Sequence, residues 1–392
     1  MSEWKEVKIG DISERLTSGG TPSTKVDEYY NGDIPWLNTK EVNFNRIWRT
    51  EKLISEKGLQ NSSAKWIKEN SVIVAMYGAT AAKVAINKIP LTTNQACCNI
   101  IIDNSKANYE FIFYSIWNKY DELENIAVGA AQQNLSVGVV KDFDIMLPPL
   151  PEQNAIASVL SSLDNKIDLL HRQNATLEKM AETLFRQWFV EEAKEEWEVT
   201  TIGKQLVTVL GGTPSTIKPE YWDGDIPWIN SGEINRFRID SPTRYITTLG
   251  FDNSSTKLLP KGTTVIAITG ATLGQISLLE IDTCANQSVI GILPNDRLGK
   301  EFVFFWVKYK LPDILLNETG GAQPHINKND VNKAELILPP NEFLKSKTPI
   351  LADYFIKISK NIQQIRTLTQ MRDILLPKLM NGELRVNTPP PS

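Results

Sequence analysis

The stretch GGTPST at Gly19–Thr24 returns letter for letter at Gly211–Thr216, and NGDIPWLN (Asn31–Asn38) is echoed by DGDIPWIN (Asp223–Asn230). Working outward, Trp4 and Gly10 match Trp197 and Gly203 at an offset of 193. The offset is 192 for Gly20, Pro35, Trp36, Asn61, Gly78, Ala79, Thr80, Asn94 and Gln95. It is 191 for Ala131, Gln132, Leu147, Pro148 and Pro149. Register kept over some 150 residues with two single-residue slips marks a duplicated domain. The period is far longer than the roughly 20–50 residues of a solenoid unit.

Each copy mixes periodicities. SVIVAMYG (Ser71–Gly78) and TTVIAITG (Thr263–Gly270) are β-rich runs stopped by glycine. YEFIFYSIWNKY (Tyr109–Tyr120) and KEFVFFWVKYKL (Lys300–Leu311) read as amphipathic helices with aromatic faces. Each copy is therefore expected to be an α/β globule of many short strands. Each ends in an apolar strand and two prolines, which neither a ladder nor a helix interior accepts.

After the first prolines, Ile156, Leu160, Leu163, Ile167, Leu170, Asn174, Leu177, Ala181, Leu184 and Trp188 step by four and three without a break. That is a heptad seam. The 191 offset supplies its partner: Leu351, Tyr354, Ile358, Asn361, Ile365, Leu368, Arg372, Leu375 and Leu379. Asn174, Asn361 and Arg372 are polar members, a known device for fixing register. The first helix leaves copy one and arrives at copy two, and the second leaves copy two. Paired along their length, they must run antiparallel. The expected fold class is mixed α/β: two duplicated globules separated by an antiparallel two-helix coiled coil, a dumbbell with a pseudo-two-fold axis. The expected boundaries are 1–150 and 193–341 for the globules, 151–192 and 342–385 for the helices, and 386–392 for a tail.

The bulk numbers agree with a folded chain in a reducing compartment. Of 392 residues only three are cysteine, with no CxxC among them. Cys97 and Cys98 should pack on opposite faces of one strand. No apolar run approaches a membrane span and no signal-peptide core opens the chain, so a cytoplasmic location is expected. Net charge is −4, and a nucleic-acid binder usually shows a basic footprint. Lys40–Lys68 does hold seven basic against three acidic side chains, whereas Gly232–Pro260 holds four against three. Catalysis has little support. The two histidines, His171 and His325, lack partners at metal spacing, and there is no Walker A loop or GxGxxG. The proline pairs are Leu-Pro-Pro, without the polar residue of an amino-methyltransferase motif. No metal and no cofactor are expected. A chain that binds twice at a fixed separation fits duplex DNA, whose grooves repeat about every 34 Å. A non-catalytic adaptor for protein or glycan partners stays open, and salt dependence separates the two.

IMLPPLPEQNAIASVLSSLDNKIDLLHRQNATLEKMAETLFRQWF (Ile145–Phe189) and LLPKLMNGELRV (Leu375–Val386) resemble the conserved regions of type I restriction-modification specificity subunits. GGTPS…YYNGDIPWLNTKEV and GGTPS…YWDGDIPWINSGEI resemble the openings of that family's target-recognition domains, as do YGATAAKVAI…NQAC and TGATLGQISL…NQSV. The second copy's LPPNEFLK lacks the Pro-Glu-Gln of the first. The resemblance implies that each globule reads one half of a bipartite, asymmetric DNA site and that the coiled coil measures the spacer. It implies two modification subunits forming an adenine N6-methyltransferase, which restriction subunits can join. Methyl donor and ATP would belong to those partners.

Base-reading segments should lie where the copies differ, because the half-sites differ. Candidates are Thr39–Trp48 (with Lys40 and Arg46) against Ser231–Ile239 (with Ser231, Arg236 and Arg238), and Gln132, Gln133 and Asn134 against Gln323 and His325. Amide side chains suit adenine edges and arginine suits guanine. The shared loops, with Gly19, Gly20, Thr21, Ser23, Tyr77 and Thr80 in one copy and Gly211, Gly212, Thr213, Ser215, Thr269 and Thr272 in the other, are candidates for phosphate contact. The glycines suit either a turn with positive φ or close approach of a ligand. Phe185 and Phe189, with Leu376 and Met380 in the second helix, fall outside the two-stranded seam. They are the expected docking patches for the modification subunits, completing a four-helix bundle.

Overall fold

A computed structural model describes residues 4–129, 134–316 and 324–386. The chain divides into two compact units. The first comprises the residues up to Leu169 together with those from Ile365 onward, and the second is Leu170–Gln364. Each holds one copy of the repeat and a part of both long helices.

In the first unit a five-stranded sheet runs in the order Ser13–Ser18, Cys97–Ile102, Val72–Ala75, Val84–Asn87, Asn45–Ile47. All neighbours are antiparallel except the last pair. The second unit repeats this order with Val207–Leu210, Val289–Leu293, Thr264–Ala267, Ile276–Leu279 and Arg238–Ile239, again with a parallel last pair. The central strands are buried on both faces, which is why they read as unbroken apolar runs. Cys98 faces the core built by the aromatic helix Tyr109–Asn118, and Cys97 the opposite one around Leu37, Ile47 and Ile73. Burial pushes both thiols up, Cys98 to about 12. A smaller sheet lies beside each large one: Lys52–Ile54, Ile34–Leu37 and Thr92–Thr93 in the first unit, Arg244–Ile246, Trp222–Ile229, Thr283–Ala285 and Leu258–Leu259 in the second.

The two slips have structural causes. In the first unit Ser13 faces Ile102 and Arg15 faces Ile101, so Glu14 is an extra, bulged residue, and the second unit has no such shift. The second slip falls in the turn before the aromatic helix. DNSKAN (Asp103–Asn108) ends in an asparagine cap, whereas the shorter NDRLG (Asn295–Gly299) ends in a glycine. The helix that follows breaks at Lys119 in the first copy and continues as Lys300–Leu315 in the second.

Each copy closes on itself. Lys5–Lys8 pairs with Asp144–Leu147, and Glu198–Thr201 with Glu335–Leu338, both antiparallel. The proline pairs then release the long helices, Leu150–Arg186 and Asn341–Met380. The first ends in a π-helical turn, Gln187–Glu191. The second begins directly after Pro340, without the Pro-Glu-Gln start. Of the heptad residues, Leu160, Ile167, Leu170, Leu351, Ile358 and Asn361 are buried. Leu163, Asn174, Leu177, Tyr354, Ile365 and Leu368 are half-buried. Within each unit the helix segments run antiparallel, and their polar members meet. Asn361 Nδ2 donates to Asn174 Oδ1 at 2.7 Å and to Gln173 Oε1 at 2.9 Å in the second unit. Arg372 Nη1 donates to Asp164 Oδ1 at 3.0 Å in the first.

Candidate nucleic-acid interface

The strand pairings bring most of the candidate loops to one end of each five-stranded sheet. In the first unit Ser18 faces Cys98, Ala75 faces Cys97 and Val74 faces Val84. The loops after Ser18, after Ala75 and before Cys97 therefore share an end, opposite the Asp103–Asn108 turn. Leu135 N donates to Met76 O at 2.8 Å, which sets Asn134 beside Tyr77. Thr80 Oγ1 donates to Thr39 O at 2.8 Å, which joins the Lys40 turn to the same cluster. In the second unit Ile326 N donates to Ile268 O at 3.1 Å, and Thr269 bridges His325. Thr272 Oγ1 donates to Thr269 O at 3.2 Å. Gln132, Gln133 and Gln323 lie outside the described residues.

The Lys40 and Ser231 turns are pre-organised. Asn38 and Asn230 cap them in reciprocal boxes with Glu41 and Glu233. The second carboxylate oxygen of each glutamate reaches across the loop, accepting from Glu51 N at 2.9 Å and Thr243 N at 3.1 Å. Lys40 itself is exposed and sits 2.5 Å from Glu51, whose carboxylate holds the ammonium above its ordinary pKa. Ser231 is half-buried and Arg236 exposed.

The paired glycines prove to be packing devices. None of Gly19, Gly20, Gly211 and Gly212 has a positive φ. A Cβ on Gly19 would lie 2.1 Å from Thr93 O, and one on Gly20 2.3 Å from Ala64 N. At Gly211 and Gly212 it would lie 2.1 Å from Asn286 O and 2.5 Å from Thr256 N. All four are buried and serve the approach of the chain's own backbone, so they are not available to a phosphate. Gly20 O accepts from Trp36 Nε1 at 2.9 Å, and Gly212 O from Trp228 Nε1 at 3.2 Å. What the loop does present is Thr21 with Gln95, and Thr213 with Gln287, each pair joined by a side-chain hydrogen bond. Ser23 and Ser215 are exposed beside them. Gln95 and Gln287 are not among the sequence candidates, although the Asn-Gln dipeptide shared at offset 192 marks them. Gly78 and Gly270 do take positive φ, 85° and 63°, with nothing within 4 Å of an added Cβ. These are open turns where another backbone can approach.

Arg46 and Arg238 are not base readers. They are 6% and 5% exposed and point away from the loop end, into the junction with the long helices. Arg46 Nη1 lies 3.1 Å from Asp164 Oδ2, and its Nη2 donates to Tyr114 OH at 3.0 Å and lies 3.5 Å from Glu110. Arg238 pairs with Glu280 and lies 4.3 Å from the Phe355 ring centre. Burial works to lower both guanidinium pKa values. Tyr114, Asp164 and Glu110 outweigh it at Arg46, whereas at Arg238 burial prevails over Glu280. An arginine in a divergent segment reads the same in sequence whether it faces solvent or core.

Phe185, Phe189, Leu376 and Met380 also face inward, so the expected exposed docking patches are absent at these positions. Phe185 and Phe189 are 2% and 0% exposed, packed among Phe302, Phe305 and Phe343. Leu376 and Met380 are each 6% exposed in the first unit's core, beside Leu160. The globule of each unit covers the helix face that a two-stranded seam leaves open.

Among the described residues no cluster of three His, Cys, Asp or Glu could hold a metal, and no helix is long and apolar enough to cross a membrane. A model of the type I restriction modification DNA specificity domain matches residues 1–179 and again 194–368. The MjaIX type I restriction enzyme specificity subunit of Methanocaldococcus jannaschii is 28% identical, over 98% of this chain and 94% of its own. The HindI specificity subunit of Haemophilus influenzae is 22% identical, over 98% of this chain and 100% of its own. The crystal structure of the S subunit of a type I restriction-modification system from M. genitalium has the same fold, with a TM-score of 0.59 at 17% identity over 96% of each chain. With both copies of the repeat matched, the chain belongs to the type I restriction-modification DNA specificity family.

Proposed function

We propose that the globules at 1–150 and 193–341 are target-recognition domains, and that each reads one half of a bipartite DNA site through the loop end of its large sheet. The observation that carries this is one scaffold with two sets of side chains. The Trp-to-glycine bonds, the Thr–Gln pairs and the capped turns recur. At equivalent places on that scaffold Lys40 is replaced by Gly232, Tyr77 by Thr269, Lys83 by Gln275 and Asn134 by His325. Identical turns positioned on a duplex, with different groups at the base edges, are what two unlike half-sites require.

In this reading the chain performs no chemistry. Two modification subunits bring the adenine N6-methyl transfer and its donor, and restriction subunits can add ATP-driven cleavage. The exposed side chains of Met180 and Met371 support two equivalent docking places on the long helices: they stand at the 191 offset and are 47% and 46% exposed. Methionine suits an adaptable apolar contact.

Exchanging Ser2–Pro148 for the matching domain of another family member tests the assignment. Methylome sequencing of a host carrying the hybrid is expected to show one half-site changed and the other kept. A change in both halves would mean that recognition is shared between the domains. Binding that does not weaken with salt would favour an adaptor over a DNA reader.

A further inference from the structure

Arg46 and Arg238 stand at one address in the repeat, and most of their surroundings have diverged, although Glu110 returns as Glu301. In the first unit the Asp164 carboxylate lies at the centre of the contacts. It takes Arg46 from the sheet, the Tyr114 hydroxyl from the aromatic helix at 2.5 Å, and Arg372 from the second long helix at 3.0 Å. Lys88 completes the set on Glu110 at 3.2 Å. In the second unit Asp164 is replaced by Phe355, Arg372 by Ala181 and Lys88 by Glu280. Arg238 now lies over the Phe355 ring, and Glu280 binds Arg238, Ser359 Oγ at 2.7 Å and Lys261 at 3.1 Å. Arg238 Nε and Nη2 have no hydrogen-bond partner among the described residues. Burial works to raise the Glu280 carboxyl, but Arg238, Ser359 and Lys261 outweigh it and hold it below the ordinary range.

A buried guanidinium is a poor device for stability alone, because apolar groups of similar volume do as well or better. What it supplies is direction, through a planar fork and a stacking face. Each arginine sits on the edge strand of its sheet, three residues long in one unit and two in the other, held by a single parallel neighbour. That strand leads straight out of the divergent reading segment. We propose that Arg46 and Arg238 are positioning residues that lock each reading end to the long helices, so that discrimination between spacer lengths depends on them while the half-site letters do not. This rests on the DNA-reading function proposed above.

The test uses the full chain and duplexes carrying the cognate half-sites with spacers from two base pairs too short to two too long. Arg46→Met is expected to fold and to lose about fivefold or more of the preference for the correct spacer, with the half-site letters unchanged. An exchange variant, Glu69→Lys, Lys88→Glu, Tyr114→Phe, Asp164→Phe, Asp168→Ser and Arg372→Ala, gives Arg46 the charged and aromatic neighbours that Arg238 has and is expected to keep the preference. Ile100→Ala, a core truncation, controls for lost stability and should also keep it. A folded Arg46→Met with an unchanged spacer profile overturns the proposal. So does a folded exchange variant that has lost the profile, or an Ile100→Ala that flattens it equally. Should Arg46→Met fail to fold, Arg238→Met and the exchange variant decide. If the unaltered chain prefers no duplex at all, it is the DNA-reading function that fails.

Discussion

Changing Phe185 and Phe189 together to aspartate unfolds the second unit. The two rings lie 5.1 Å apart, and Phe189 is also 5.1 Å from Phe302 and 5.7 Å from Phe343. Removing one buried phenyl costs about 3–5 kcal/mol through lost transfer energy and cavity formation. Two such losses, with a carboxylate placed in each space, exceed the roughly 5–15 kcal/mol that holds a domain together. Thermal denaturation followed by circular dichroism should lose the transition of the second unit, and proteolysis should cut within Leu170–Gln364. A variant that melts normally but binds the modification subunit weakly would reinstate these residues as a docking surface. Phe185→Leu, which keeps most of the volume, should cost about 1 kcal/mol and leave the fold intact.

Deleting residues 166–172 together with 363–369 removes one heptad from each long helix. Both polar contacts survive the cut, since Asn174, Asn361, Asp164 and Arg372 all lie outside it. The heptad phase is restored on either side. Seven residues shorten a helix by about 10 Å, the rise of three base pairs. The recognised site is expected to lose about three base pairs of spacer while both half-sites keep their letters. Methylome sequencing reads all three quantities at once. Changed letters with an unchanged spacer would mean that the helices do not set the distance.

The repeat was legible because it is a covalent fact, and its slips were real features, a bulge at Glu14 and a shortened turn before the second aromatic helix. The heptads were legible because a seam of two helices needs a regular spacing and little else. The reading failed where a third surface intervenes. Phe185 and Leu376 looked spare to a two-stranded seam, but the globule packs against the same helices from the side. Arg46 looked like a reader because its segment diverges. The counter-signal was that Arg46 and Arg238, like Glu41 and Glu233 or Ile47 and Ile239, match at the 192 offset, as scaffold residues do. The glycine pairs pointed to a turn or a ligand, since sequence does not say whose backbone approaches. In the candidate interface, the sequence named the loops that meet at one sheet end but not Gln95, because a hydrogen bond from Thr21 to Gln95 joins residues far apart in the chain.

The first unit also contains both ends of the described chain. Trp4 Nε1 donates to Glu152 Oε1 at 3.4 Å, Arg385 pairs with the same carboxylate, and the Arg385 guanidinium lies 5.9 Å from the Trp4 ring centre. The equivalent place in the second unit, where Trp197 packs on Phe343, is crossed by continuous chain arriving from the π-helical turn. The same junction is thus spanned by side-chain contacts in one copy and by continuous backbone in the other. A circular permutant that links Val386 to Trp4 by a short linker and opens between Glu192 and Glu196 exchanges the two arrangements. Because few buried contacts cross that segment, the permutant should fold with an unchanged circular dichroism spectrum and read the same site.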